Sequence, residues 1–304
     1  MNTQQLQYLV EIERTRSISQ AAANLYMGQP NLSRILRDME ASVGYPIFER
    51  TRRGVRPTEK GAVFLQHARN ILRELDFMQS LGPTSTAPDR FRICLPRSWR
   101  LLDSVQRFLE RQELTQGLDA YIRECHPKQA LDLLANGAVE IAILRYCVEY
   151  RDYFAEQVAA GQFAMRLLSR HKFEPVVSAD HPLAQANVVS KGELDHYMEL
   201  VHRDVFYPQG KGGAHCEKKI HIVDRMGQIQ ALQGMKDAYV WLESLPKEFL
   251  TRNRLVQLRC VDNSQIYQDA LVYNPRCAMS EIERSYLQML TSGRGHGTSE
   301  AYQK

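Results

Sequence analysis

Asn31, Ser33, Arg34 and Arg37 fall on one side of a helical pattern, and their amide, hydroxyl and guanidinium groups hydrogen-bond base edges and phosphate oxygens. Leu32, Ile35, Leu36, Met39 and Val43 recur on the other side at helical spacing. Gln29 and Pro30 open the helix, where a missing proline N–H costs nothing, and Gly44 and Pro46 stop it. One apolar face and one polar, basic face are what a helix lying in the major groove of DNA requires. A second cluster follows: Arg50, Arg52, Arg53, Arg56 and Lys60 stand against Glu59 alone, around a Gly54 that lets the chain turn back as a hairpin. Taken alone, such a run is a solvated loop. Directly after a groove-reading helix, it becomes a wing whose arginines meet phosphates or a narrow minor groove.

Other segments must hold these residues in place. Leu6, Leu9 and Val10 give a first helix its apolar stripe, and Ser17 or Ser19 caps a second helix through Ala21, Ala22, Ala23 and Leu25. Alanines there let the next helix cross closely after the break at Tyr26, Met27 and Gly28, the geometry of a helix-turn-helix. Thr58 caps a long helix over 58–79. Its apolar positions Leu65, Ala68, Ile71 or Leu72, Leu75 and Met78 form a near-heptad seam too long for so small a domain to cover, which predicts a homodimer.

The remaining two-thirds alternates strands and helices. Residues 80–88 form a proline- and glycine-containing linker. Strands are expected over 91–95, 119–122, 139–144, 173–178, 200–203, 220–223, 238–242, 255–258 and 269–273, with helices over 101–109, 130–135, 227–235 and 281–290. A βαβ succession implies a parallel sheet with helices on both faces, and two such runs imply two subdomains around a cleft. The expected organisation is a DNA-binding domain over 1–60, a dimerisation helix and hinge over 61–88, and an α/β domain over 89–292 with crossovers near 145–172 and 260–270. A polar, disordered tail over 293–304 completes it.

The first sixty residues resemble the LysR-type transcriptional regulators. The matching residues are Leu6, Tyr8, Val10, Ser17, Ile18, Ser19, Ala21, Ala22, Leu25, Gln29, Pro30, Leu32, Ser33, Ile35, Met39, Glu40, Gly44, Ile47, Phe48, Arg50, Arg53, Thr58 and Gly61. Two positions depart: Gly28 stands where the family has Ser or Thr, and Asn31 where it has a small or apolar residue. Further on, Phe91, Arg92 and Ile93, residues 136–143, and His181, Pro182, Leu183 and Ala184 resemble the family's effector domain, which is similar to periplasmic solute-binding folds. Beyond Ala184 the likeness weakens, with Ala238 and Glu243 in place of the family's Gly and Pro.

The resemblance implies a winged helix-turn-helix followed by a two-subdomain effector domain, acting on double-stranded promoter DNA as a homodimer or homotetramer, with RNA polymerase as a further partner. It places effector contacts at Arg97, Ser98 and Trp99, at His126 and Pro127, at Arg145, and at His202 and Arg203. A hydroxyl at a helix start, several cations and an indole suit a small anionic effector, a carboxylate with an apolar body. Structural roles compete at each position: Ser98 as a cap, Trp99 as core, and His126 and His202 as surface residues. Arg145 is favoured because a buried strand running out to an arginine needs a partner for the charge.

Composition sets bounds on other functions. At 304 residues with 44% hydrophobic and 24% charged content, the chain has room for two or three cores, and a net charge of +4 places weight on where the arginines sit. No apolar run approaches the ~20 residues that span a bilayer, and the first residues carry no signal pattern, so a cytoplasmic protein is expected. The six cysteines, Cys94, Cys125, Cys147, Cys216, Cys260 and Cys277, show neither a CxxC pair nor a zinc spacing and are expected as free thiols, with a two-cysteine redox sensor as the minority reading. Enzyme chemistry finds no motif: there is no GxSxG, P-loop or HExxH, and residues 210–213 lack phosphate-loop spacing. No cofactor or metal is expected. A solute-binding or transport component whose N-terminal helices merely pack is the alternative, and an α/β enzyme comes third.

Overall fold

The computed structural model describes residues 1–52, 54–80, 89–112, 117–201, 218–222, 224–277 and 279–292. Outside them lie Arg53, the linker residues 81–88, His202 and Arg203, the loop 210–213, Cys216, and the expected tail 293–304.

Helices α1 (Thr3–Thr15), α2 (Ile18–Asn24) and α3 (Gln29–Val43) share one core. Asn2 and Gln5 form a capping box at the start of α1, and the Ser17 side chain accepts from Gln20 N at the start of α2. Ala21 and Ala22 are buried with Leu9, Ile12, Leu32 and Met39, so the small side chains do permit the close helix crossing. The inward position on α1 is Ile12, one turn beyond Leu9, while Val10 is only partly buried. The Glu40 carboxylate accepts from the Ile47 and Phe48 amides and so fixes the root of the wing to α3. The wing is the antiparallel pair β1 (Phe48–Thr51) and β2 (Gly54–Pro57), closing on Thr51 opposite Gly54, whose φ of 116° excludes an ordinary side chain.

The long helix α4 (Glu59–Ser80) starts where Thr58 Oγ1 accepts from Gly61 N and donates to the Pro46 carbonyl. An ion pair between Arg69 and Glu13 ties it to α1, and Arg69 also reaches Asn136 in the next domain at 3.2 Å. The apolar stripe expected as a dimer seam is divided. Leu65 and Ala68 are buried in their own domain and Leu72 packs against it, whereas Val63, Ile71 and Met78 are exposed. Among the described residues, Ile71 and Met78, seven apart, are the exposed part of the stripe, with Leu75 half-buried between them.

The rest is built on two five-stranded sheets. The first takes β3 (Asp89–Leu95), β4 (Leu118–Glu124), β5 (Ile141–Cys147), β6 (Ala164–His171) and β14 (Tyr267–Tyr273) in the order β4-β3-β5-β14-β6, with α5 (Trp99–Glu110), α6 (Pro127–Ala135), α7 (Arg151–Ala160) and α11 (Glu281–Thr291) around it. The second is ordered β10-β9-β11-β7-β12, from β7 (Glu174–Ser178), β9 (Met198–Val201), β10 (Lys219–His221), β11 (Ala238–Leu242) and β12 (Leu255–Gln257). Helices α8 (Lys191–Leu194), α9 (Arg225–Gly234) and α10 (Lys247–Arg252) accompany it, and β8 (Val188–Val189) pairs with β13 (Arg259–Cys260) beside it.

Neither sheet is wholly parallel, contrary to expectation. Strand β14 runs antiparallel to both β5 and β6, and β7 antiparallel to both β11 and β12. The cause is the chain path: β14 returns from the other subdomain and is free of the βαβ crossover that enforces parallel pairing. The stretch expected as a crossover, near 145–172, contains α7 and the edge strand β6, none of whose residues is fully buried, so it gives no apolar run to detect. No helix among the described residues is long and apolar enough to cross a membrane.

The expectation of free thiols is corrected at one pair. Cys94 and Cys125 are joined by a disulfide, because parallel pairing of β3 with β4 brings Cys94 of β3 beside Cys125, the residue that follows β4 and lies 31 further along the sequence, with Cα atoms 6.6 Å apart. Cys147 and Cys260 are free thiols. Burial, together with the neighbouring Asp262, pushes the Cys260 thiol up to about 12, so it carries no reactive thiolate at neutral pH.

Gly61 makes the helix-to-wing junction testable. A Cβ there would lie 1.8 Å from the Ile47 carbonyl oxygen, a backbone atom that cannot turn aside. Gly61→Ala should therefore destabilise the N-terminal domain by about 3 kcal/mol or more, seen as a lowered thermal midpoint by circular dichroism. An unshifted midpoint would mean that α4 docks elsewhere.

Candidate nucleic-acid interface and ligand cleft

On the outer face of α3, Gln29, Pro30, Asn31, Arg34 and Arg37 are exposed and Ser33 is half-buried. The side chains organise one another: Gln29 Nε2 donates to Ser33 Oγ at 2.7 Å, Arg34 to Asn31 Oδ1 at 3.2 Å, and Arg37 Nε to the Ser33 carbonyl at 3.4 Å. Ser17 is engaged as the α2 cap, and Ser19 is exposed beside it. On the wing, Arg50 and Arg52 are exposed, and Arg56 pairs with Glu49 at 2.5 Å. Sequence reasoning passed over Tyr26. It is 98% exposed at the turn between α2 and α3, in the left-handed region at φ 53°. An aromatic in a helix-turn-helix turn was the available signal, since nothing in the domain core needs it.

The second site lies between the two sheets of the C-terminal domain. It encloses about 710 Å³ including its open mouth, and its aromatic walls are Trp99, Phe173, Trp241 and Tyr267. Arg97, Arg145, Arg225 and Glu243 supply the charges. The Arg225 guanidinium lies 4.5 Å from the centre of the Trp99 ring and is ion-paired with Glu124. Of the residues expected to meet an effector, Arg97, Trp99 and Arg145 line this cleft, and Ser98 lies behind it, buried. The His126 ring nitrogen accepts from Gln129 N, so it caps α6, with Pro127 as the first helical residue.

Arg145 is the centre of a buried charge cluster. Strand register sets Asp269 of β14 directly opposite Arg145 of β5 and Ser169 of β6 opposite Asp269, so three strands present one row of polar groups. Arg145 donates to Asp269 from Nε at 2.7 Å and from Nη2 at 3.0 Å, to Glu243 from Nη2 at 2.8 Å, and to the Arg97 carbonyl from Nη1 at 3.1 Å. Arg100 adds a second guanidinium, 2.8 Å from Asp269. Burial opposes the charges on Arg145, Asp269 and Glu243, and their mutual attraction outweighs it: the Arg145 pKa is raised, Asp269 is held down at about 2, and Glu243 is held below the usual carboxylate range. His171 differs. Its ring stacks on Phe173, Nδ1 is 3.9 Å from Asp269, and burial together with the nearby Arg145 lowers its pKa to about 4. Sequence reasoning singled out Arg145 but not Asp269, Arg100 or His171, which only strand register brings together.

Residues 3–62 match the family model described as bacterial regulatory helix-turn-helix protein, lysR family. Along 97% of both chains the sequence is 26% identical to the hydrogen peroxide-inducible genes activator of Pectobacterium carotovorum subsp. carotovorum. The fold is similar to that of a full-length OxyR variant from Pseudomonas aeruginosa, at a TM-score of 0.62 with 16% identity over 97% of this chain and 95% of that one. It is also similar to full-length CbnR complexed with its target DNA, at a TM-score of 0.55 with 14% identity over 96% and 100% of the two chains.

The His171 environment gives a pH dependence of known sign. As pH falls below 6.5 the unfolded chain takes up a proton that the folded cleft refuses until about pH 4, so stability is lost across that window and is unaffected above it. His171→Phe should reduce the stability lost between pH 7 and pH 5 by about 2 kcal/mol in urea unfolding. Equal losses in both proteins would place the ring in water.

Proposed function

The chain belongs to the lysR family of bacterial regulatory helix-turn-helix proteins, and we propose that it regulates transcription from a promoter whose two half-sites are read by a pair of α3 helices. Residues 1–60 read DNA, 61–88 pair and connect two chains, and 89–292 hold a small ligand that biases the arrangement of the pair. The observation that carries this reading is the face of α3, where Asn31, Arg34 and Arg37 are exposed, as are the wing arginines Arg50 and Arg52. Helices that merely packed against another domain would bury such a face or leave it without this ordering of donors.

Asn31 and Arg34 present hydrogen-bonding groups suited to base edges, while Arg37, Arg50, Arg52 and Tyr26 suit the phosphate backbone. Pairing through the exposed α4 residues Ile71 and Met78 would set the half-site spacing. In the cleft, the ligand lies against Trp99, Phe173, Trp241 and Tyr267, with Arg97 and Arg225 at its wall; His202 and Arg203 are kept as further candidates. A ligand shifts the regulator by its differential affinity for two arrangements of the subdomains.

Asn31→Ala or Arg34→Ala should cost about 1 to 3 kcal/mol on the selected DNA sequence and relax preference at one position. Arg52→Ala should weaken binding to any DNA alike and make the salt dependence shallower. Gel-shift titrations at two salt concentrations separate these outcomes, and equal loss on selected and random DNA would move Asn31 or Arg34 to the phosphate class. Ile71→Glu should convert the dimer to monomer in sedimentation and abolish specific binding with it. A dimer intact in that variant would move the interface off α4.

A further inference from the structure

Two carboxylates meet Arg145, and only one comes from its own sheet. Asp269 is its register partner, while Glu243 arrives from the end of β11 in the other subdomain. Glu243 lies where an anion would be held: at the N-terminal end of the twelve-residue α5, against the capping hydroxyl of Ser98, and beside a guanidinium. Ser98 is 1% exposed and Arg145 7%. Ser98 Oγ is 2.6 and 2.9 Å from the two carboxylate oxygens, and Arg145 Nη2 is 2.8 Å from one of them. The main chain at Glu243 is itself fixed, since Gln257 Nε2 donates to its carbonyl at 3.0 Å and Gln257 Oε1 accepts from Leu245 N.

We propose that Glu243 is a tethered occupant of a carboxylate site, a latch that holds the two subdomains together and denies the site to free carboxylates. The ligand of the cleft is then a flat molecule seated among Trp99, Phe173, Trp241 and Tyr267, with no carboxylate of its own held by Ser98 and Arg145. This last step rests on the reading of the cleft as a ligand site; the latch itself does not. Competition explains the exclusion. A group delivered by its own chain acts at an effective concentration on the order of millimolar or higher, so a free carboxylate below that level does not displace it. Arg145 has little left to offer, since its four hydrogen bonds to Asp269, Glu243 and Arg97 leave one of its roughly five N–H donors.

Removing the occupant should open the site. In the full-length Glu243→Ala protein, the lost side chain leaves room for acetate under Ser98 and Arg145. Acetate should raise the melting temperature of this variant saturably, whereas sodium chloride at equal ionic strength should not. Wild type and Glu243→Gln should both be indifferent to acetate beyond the chloride control, because their own side chains fill the place. By calorimetry, acetate should bind Glu243→Ala at least about tenfold more tightly than wild type. Should Glu243→Ala fail to fold in chloride, recovery of folded protein on refolding in acetate supports the latch. A folded Glu243→Ala unmoved by acetate, an unfolded one that acetate does not recover, or an equal acetate response in Glu243→Gln would each overturn it. These measurements need no DNA, so the latch can stand even if the regulatory reading falls.

Discussion

A buried guanidinium has to be neutralised where it stands, and the C-terminal domain is arranged around how Arg145 meets that demand. Its strand is buried along its whole length, so solvent cannot serve. One partner, Asp269, is supplied by the register of β14 against β5. The other, Glu243, is supplied across the cleft. Removing one partner of such a cluster costs about 3 to 5 kcal/mol, because an uncompensated charge stays behind. The net contribution of the intact cluster to stability is far smaller. What the cluster provides is a closed arrangement that the two subdomains share, with Ser98 and the start of α5 held in the same network.

That arrangement was legible only in part. The face of α3 could be read because helical period alone separates Leu32, Leu36 and Met39 from Asn31, Arg34 and Arg37. Arg145 stood out because a run of apolar residues ends on a charge. Its partners were sought in a ligand, yet the chain provides them from positions 98 and 124 residues away. Strand register over such separations leaves no local trace. Glu243 was visible as an odd residue in a familiar place without its role being visible. Edge strand β6 lacked the apolar alternation that would have marked it, and the α4 stripe could not be divided into an inward part and an exposed part until α1 was placed beside it. The Cys94–Cys125 pair has the same origin, since adjacency of β3 and β4 is a property of the sheet and not of the spacing.

The two sites are complementary in their physics. The outer face of α3 and the wing are exposed, cationic and organised by local side-chain contacts, which suits a partner whose charge and groove supply the missing bonds. The candidate cleft is walled by aromatic rings, with Arg145 paired to Asp269 and Glu243 and Arg225 to Glu124, which suits a ligand recognised by shape and stacking. Arg69 links the two regions physically, pairing with Glu13 in the first domain and reaching Asn136 in the second.

The central claim is that the state of the cleft and the reading of DNA are coupled in one molecule. The chain has two tryptophans, Trp99 and Trp241, and both line the cleft. Their emission therefore reports that site and nothing in the DNA-binding domain. The most direct test is to titrate the full-length protein with a DNA fragment selected from random sequence by its binding, while recording tryptophan emission and its quenching by acrylamide. Coupling predicts a saturable change in both that follows DNA binding and is absent with unselected DNA at equal concentration. Emission and quenching unchanged at saturating selected DNA would contradict it.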